Sequence, residues 1–564
     1  MNSPSPAIVE QAAVRRLPRP ALLLLCLAYL LAGFVGRSPW KSEDIASFGT
    51  MVALARGTTD WLAPTLLGMP SQPASLLPYW LGAWAMQALP WLDPTLASRL
   101  PFMALLALCL LATWWAVYYL ARSPQAQPVA FAFGGEADPM DYARAMGDAG
   151  LLALIACLGL AQLSHEATGA LVQLCGLSLT LYACAAAPYR SRGPLIAWAV
   201  GLLMLTLGGA ALMAMVLGAG CAVLGWNLAR IRPDADAARF QRIAIVALAI
   251  TLACGVLGAL LAQWQWRHLL SDNWLQWRGL ARLLIWFTWP AWPLALWTLW
   301  RWRRQLWGSQ LALHVALPCW LAFVALAHAV TSHNPDRALL AGLPALAALA
   351  AFGLPTLKRS FTSLIDWFTL IFFTGCALVV WVVWIAMQTG FPAQPAANVA
   401  KLAPGFEPSF SWFAFLVAIA SSAAWLWLVH WRAGRHRAAL WKSMVLPASG
   451  AALTWMLLTT LWLPLLDYAR SYAPMVQRVT AIVKAQACLQ SMGLTRSQTA
   501  ALLYHGNLRL VTGQESNSCA WMLVDPSQVS TYPINFKRWQ LVTSVRHPAD
   551  RKEDLLLFRR IGSP

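Results

Sequence analysis

Residues 101–121 read Pro-Phe-Met-Ala-Leu-Leu-Ala-Leu-Cys-Leu-Leu-Ala-Thr-Trp-Trp-Ala-Val-Tyr-Tyr-Leu-Ala, without a single charge. A helix of that length rises about 30 Å, the thickness of a bilayer's hydrocarbon core. Comparable runs recur on both sides. One lies upstream at 20–36; the others follow at 148–164, 168–187, 193–208, 210–226, 243–262, 283–300, 311–330, 338–353, 364–387, 412–429 and 444–464. Lipid offers no partner to a backbone N–H or C=O, so these runs are expected to be helices. The fold class is mostly α, a polytopic membrane protein with about 13 transmembrane helices. Composition agrees: of 564 residues 59% are hydrophobic and only 11% charged. A chain this apolar cannot cover a water-exposed surface, which excludes a soluble enzyme, a disordered chain and a secreted disulfide scaffold.

The stretch 74–90 fixes the register of everything after it. It is apolar but short, with Pro78 near its start and Trp80 and Trp84 along it. Such a run is expected to lie at the interface as part of a long first outer loop, 37–100. With the N-terminus inside, the inner segments hold twenty Lys and Arg and the outer loops before 465 hold nine. That bias predicts a multi-pass inner-membrane protein with a cytoplasmic N-terminus. It also explains much of the +19 net charge, and nucleic acid is not an expected partner. Many of the 33 Trp fall at predicted helix ends, as an aromatic belt does.

Two domains are expected: a transmembrane domain over 1–464 and a periplasmic α+β domain over 465–564. In the tail, 472–493 reads as a helix, followed by strand-like runs at 507–512, 520–524, 540–544 and 555–558. Nine of eleven Cys lie in apolar runs. Cys488 and Cys519 do not, and on an oxidising face they are candidates for a disulfide.

Charge is scarce, so its placement carries information. Glu43-Asp44 follows Arg37-Ser38-Pro39-Trp40-Lys41 directly after the first span. Ile45, Phe48, Met51, Val52 and Ala55 then mark one face of a helix lying along the membrane. The two carboxylates sit at its N-terminal end, where the helix dipole favours negative charge. Cations expected on the same outer face are Lys41, Arg56, Arg267, Arg278, Arg282 and Arg337. His165, Glu166, His333 and Asp336 fall in short outer loops and are candidates for substrate or for a divalent metal cation. Their spacing fits no ligand motif.

In order, the chain carries a basic N-terminus, a first span, Trp40 and an acidic pair, Gly57-Thr58-Thr59-Asp60-Trp61-Leu62-Ala63-Pro64, Pro78-Tyr79-Trp80-Leu81 and Ser98-Arg99-Leu100-Pro101. This order resembles the protein mannosyltransferase and lipid A aminoarabinose transferase group of the C-type glycosyltransferase superfamily. Arg337-Ala338-Leu339-Leu340-Ala341-Gly342-Leu343-Pro344 resembles that group's Arg-x-x-Tyr-Leu-Leu-Pro stretch, and Asp467 to Tyr472 resembles the start of its outer domain. The resemblance implies a membrane glycosyltransferase that moves a sugar from a polyprenyl-phosphate donor to a lipid (lipid A-like), glycan or protein acceptor at the outer face.

It implies Asp44 as catalytic base when aligned backward from Asp60-Trp61, with Glu43 as an auxiliary carboxylate. Aligned forward from Trp40, Glu43 takes the base position. Arg337 is the implied phosphate clamp, with Lys41 and Arg56 as further candidates. Two departures stand out. Ile45 follows Asp44 where the group has Glu, and Ser71 to Leu76 replaces its Tyr-Phe-x-Lys-Pro-Pro motif, without the Lys expected to bind donor phosphate. The alternatives are a non-catalytic polyprenyl-lipid-binding relative and a transporter or flippase. Against the last, no internal repeat and no mid-span charge is found.

Overall fold

The computed structural model describes residues 5–71, 74–231, 237–264, 274–306, 311–433, 439–483, 487–512, 519–529 and 534–562. The protein is mostly helical. In chain order the helices of the first part are α1 (Arg19–Leu31), α2 (Glu43–Ala55), α3 (Leu77–Ala88), α4 (Pro94–Ala121), α5 (Pro139–Ala156), α6 (Leu160–Leu163), α7 (Gly169–Ala186), α8 (Arg192–Leu205), α9 (Ala211–Ile231), α10 (Ala237–Leu260), α11 (Trp274–Phe287) and α12 (Ala291–Arg301). They continue with α13 (Leu313–Val330), α14 (Pro335–Leu340), α15 (Leu343–Gly353), α16 (Arg359–Thr389), α17 (Ala393–Leu402), α18 (Trp412–Ala433), α19 (Lys442–Thr460) and α20 (Leu463–Arg470). Among the described residues, eight helical stretches are long and apolar enough to cross a membrane, and Arg19–Leu31 and Leu343–Thr356 are shorter apolar helices.

One of the eight, Arg192–Asn227, turns back on itself at Gly209. Gly209 has φ 87°, a conformation glycine adopts without steric cost. Thr206 lies against Gly258 and Met215 against Gly255, so both flanks of the turn meet the same end of α10. Further along, the Trp198 indole donates to the Ala247 carbonyl at 3.1 Å while Gly225 faces Ala244. α8 and α9 are therefore antiparallel. α7 and α8 approach closely where Gly176 meets Gly201, each glycine set against the other's carbonyl. Small residues let backbones meet where hydrophobic drive between helices is weak.

Three expected spans are broken; one of them, 338–353, is divided between α14 and α15 at Ala341-Gly342. The run 148–164 becomes α5, which starts at Pro139, then a break at Cys157 to Gly159. The run 283–300 breaks at Thr288 to Pro290. The last two breaks satisfy each other: Leu158 N–H donates to Trp289 O at 3.1 Å and Gly159 N–H to Phe287 O at 2.9 Å. Irregular backbone is tolerated at membrane depth where protein supplies the partners.

Between α1 and α4, α2 and α3 flank a short antiparallel ladder of β1 (Thr65–Leu66) and β2 (Met69–Pro70). At 12 residues α3 is too short to cross a bilayer.

The tail differs from its expected outline. The 472–493 helix stops early, as α21 (Ala473–Thr480), and 488–492 is a strand. Of Val476, Val479 and Val483, which share one helical face, only the first two fall within α21. The tail also contains a second helix, α22 (Arg496–His505), opened by a capping box of Thr495 and Gln498. With β3 (Cys488–Met492), β4 (Arg509–Val511), β5 (Trp521–Val524), β6 (Trp539–His547) and β7 (Asp550–Arg560) it forms a five-stranded sheet of order β4-β3-β5-β7-β6. β3 runs parallel to both β4 and β5; the β5-β7-β6 side is antiparallel. Cys488 and Cys519 form a disulfide beside the central strands, with Cα atoms 5.0 Å apart. α22 seats on α2, where Gly49 leaves room for Ala500.

Candidate active site

The acidic pair sits at the start of α2, and its two members face different surroundings. Asp44 is 1% exposed. Its Oδ2 lies 3.1 Å from the Arg37 guanidinium and 3.8 Å from that of Arg99. The same oxygen accepts the Trp40 N–H at 3.1 Å, and Oδ1 accepts the Ala167 N–H at 3.2 Å. Burial alone would raise this carboxyl. Arg37 and Arg99, helped by the two amides, instead hold it below its ordinary value.

The segment around Asp44 is clamped from the tail side. Asp467 accepts Ser38 N–H at 3.0 Å, Ser38 O–H at 2.8 Å and the Trp40 indole at 2.6 Å. Arg37 lies 4.5 Å over the Trp40 ring and Arg470 lies 5.5 Å over it. Arg37 also donates to Gly33 O at 2.9 Å and His165 O at 2.8 Å.

Glu43 is half-buried and lines a polar cleft. The other walls come from distant parts of the chain: Ser47 on α2, Ser75 and Tyr79 at the start of α3, Thr168 and Gln173 at the start of α7, the Gly208-Gly209 turn, and His328, His333, Asn334 and Arg337 around α14. The cleft offers about 60 Å³ of space to water-sized groups. Gln173 donates to Gly208 O at 2.7 Å, which fixes that wall. Arg337 pairs with the buried carboxylate of Glu166, and its Nε is buried without a partner. Burial opposes the charge on Arg337, but Glu166 and Asp336, with Glu43 nearby, hold its guanidinium above the ordinary value. The cleft thus sets a carboxylate and a fixed cation in one enclosure.

The other expected residues divide. His333 lines the cleft; Asp336 is on α14 but is not part of the lining. Glu166 reaches the cleft only through Arg337. The His165 ring is fully buried between backbone carbonyls, its Nε2 2.9 Å from Tyr29 O and its Nδ1 against Ala161 O, and burial pushes it down to about 4. Among the described residues, no three His, Cys, Asp or Glu side chains come together as metal ligands. Lys41 turns away and pairs with Asp550 of β7. Arg56 caps the far end of α2, about 20 Å along the helix from Glu43. Arg278 and Arg282 are on α11 and do not line the cleft. Arg267, and the segment Gln72-Pro73 within the altered motif, lie outside the described residues.

Sequence reasoning gave no role to Arg37, Arg99, Gln173 or the Gly208-Gly209 turn. Arg99 was visible in Ser98-Arg99-Leu100-Pro101, and a paired glycine inside an apolar run was the signal for the turn.

Fold and cleft together define a polytopic membrane protein whose polar site opens beside α2 and is braced by a small α+β domain. Two solved structures share the fold over nearly its whole length, both of ArnT, a lipid A aminoarabinose transferase, from Cupriavidus metallidurans. The apo structure is 14% identical, with 96% of this chain and 97% of that chain covered and a TM-score of 0.59. The structure bound to undecaprenyl phosphate is 15% identical, with 96% and 98% covered, also at 0.59. No protein-family model and no curated protein matches the chain.

Proposed function

We propose that the protein is an inner-membrane glycosyltransferase that takes a sugar from a polyprenyl-phosphate donor and inverts its anomeric centre. The acceptor is a hydroxyl of a lipid A-like lipid, a glycan or a protein at the periplasmic face. The observation that carries this reading is the cleft holding Glu43 and Arg337 together. In the transfer, the acceptor oxygen attacks the sugar's anomeric carbon and the bond to the phosphate oxygen breaks. Glu43 takes the acceptor's proton. Arg337 holds the leaving phosphate, to which its unpartnered Nε can donate. The bound undecaprenyl phosphate of the ArnT structure supports a polyprenyl-phosphate donor here.

This assignment uses the match that runs forward from Trp40. Asp44 is the worse base, because it is walled in, paired with two arginines and spent on two amides. Its proposed role is to hold Arg37, Arg99 and the 165–168 loop in place. The remaining topology follows: about thirteen crossings, a cytoplasmic N-terminus, and a periplasmic 465–564 domain whose disulfide suits that compartment.

A second reading, a polyprenyl-lipid-binding relative without catalysis, is favoured by one observation: the family's donor-binding Lys is missing from 71–76. Sugar transfer in proteoliposomes separates the two. Glu43→Gln is expected to cut transfer by about 10²–10⁴-fold without loss of folded protein. Wild-type protein that binds the lipid but transfers no sugar from any polyprenyl-phosphate donor selects the second reading.

A further inference from the structure

The helices that open at the cleft close around a second, apolar cavity at their other ends. α4 carries Arg99 beside Asp44 at its start and Tyr119 and Leu120 on the cavity wall at its end, about 30 Å away by helical rise. α7 likewise carries Gln173 in the cleft and Cys184 in the cavity. The cavity holds about 310 Å³, within the range of small-ligand pockets. Its wall is chiefly aliphatic and aromatic, with Leu120, Trp198, Cys221, Leu224, Ala247 and Leu317 among the lining residues. An apolar space of this kind favours an apolar guest over water.

The rim has the opposite character. Arg122 caps α4 and lies 4.5 Å over the Tyr189 ring, and Arg190 lies 6.0 Å over Tyr119. Arg192 opens α8 beside them. Among the described residues, none of the three arginines is paired with a carboxylate. Gln125, also on the lining, has a buried Oε1 that accepts no hydrogen bond. A greasy slot, unneutralised arginines and an acceptor in want of a hydroxyl or amine match one membrane component.

We propose that this cavity binds an anionic glycerophospholipid of the leaflet opposite the cleft. One acyl chain enters between α8, α9 and α10, the phosphate lies at Arg122 and Arg190, and a headgroup hydroxyl reaches Gln125. The site does not depend on the glycosyltransferase reading. It is separated from the cleft by about 17 Å along α7, from Gln173 to Cys184.

The test is native mass spectrometry of the full-length protein in detergent with added phosphatidylglycerol, phosphatidylcholine or undecaprenyl phosphate. Two variants act on different parts of the site. Gly225→Leu grows into the cavity, where an added Cβ meets nothing nearer than Ala244 at 3.9 Å, and it replaces a helical glycine, so folding is expected to survive. The pair Arg122→Gln and Arg190→Gln removes the rim charge. The wild type is expected to retain one phosphatidylglycerol in preference to phosphatidylcholine. Gly225→Leu should lose it, and each arginine removed should weaken retention about fivefold. Equal retention of the two phospholipids, unchanged retention by both variants, or displacement of phosphatidylglycerol by undecaprenyl phosphate would overturn the proposal.

Discussion

Glu43 and Asp44 are neighbours in sequence and opposites in environment. One helical step of about 100° turns Glu43 to the cleft and Asp44 into the protein. A buried carboxylate that satisfies two guanidinium groups is costly to neutralise, because its removal leaves cations without a counter-charge. Asp44→Asn is therefore expected to cost about 3–5 kcal/mol of stability, read as a lower melting temperature in detergent. Glu43→Gln should leave the stability within about 0.5 kcal/mol of wild type while cutting transfer by about 10²–10⁴-fold. Loss of stability in Glu43→Gln rather than Asp44→Asn would reverse the proposed roles. The sequence showed the acidic pair but not which member faced inward. A helix that lies along a surface has both a buried and an open side, and the partners that decide between them, Arg37, Arg99 and the Ala167 amide, come from three other segments.

At the scale of elements, the runs of apolar residues were easy to read because length and hydropathy alone decide whether a helix can stay in lipid. Breaks were harder. Nothing local marks Cys157 to Gly159 as irregular, since the partner that satisfies it is another break more than a hundred residues away. In the tail, β3 was hidden inside a helical pattern. It is a buried parallel strand whose neighbours β4 and β5 follow later in the chain, so no hairpin signal announced it. The disulfide that starts at β3 closes a loop of 31 residues. Its reduction is expected to cost the tail about 3–4 kcal/mol, seen as earlier proteolysis of 465–564 than of the membrane part. Resistance unchanged by reductant would show that the sheet holds without it.

The joint between tail and membrane part is also expected to respond to pH. His547 on β6 is buried; its Nε2 donates to Ser471 O at 2.9 Å and its Nδ1 accepts the Ala549 N–H at 3.2 Å. Burial, with Lys41 adding to it, holds this imidazole below its ordinary value of 6.5, although Asp550 and Glu553 pull the other way. The unfolded tail therefore binds a proton that the folded tail refuses. Stability is present above about pH 6.5 and is lost as pH falls toward the lower native value. His547→Gln should flatten that dependence in a melting series between about pH 7.5 and 5. An unchanged slope would place the titrating group elsewhere.

Over the whole molecule, the parallel pair α4 and α7 links two chemically distinct ends. At one end α4 brings Arg99 to Asp44 and α7 brings Gln173 to the polar cleft, and at the other they wall the apolar cavity. A fold shared over 96% of this chain at 14–15% identity shows how loosely sequence constrains this architecture. Apolar helices can exchange almost any apolar residue, so the overall pattern of spans was legible while their packing was not. The cleft was only partly legible, because Ser75, Gln173, Gly208 and His328 are single polar or small residues with no motif of their own.

The central claim is that the lipid-linked phosphate meets Arg337 and Glu43 in this cleft. It is tested most directly by photo-crosslinking with a polyprenyl phosphate carrying a diazirine close to the phosphate, followed by peptide mapping of the full-length protein. The account predicts adducts in 75–79, 168–173 and 328–338, lost in Arg337→Ala. Adducts confined to other parts of the chain, or adducts in these peptides that Arg337→Ala leaves unchanged, would contradict it.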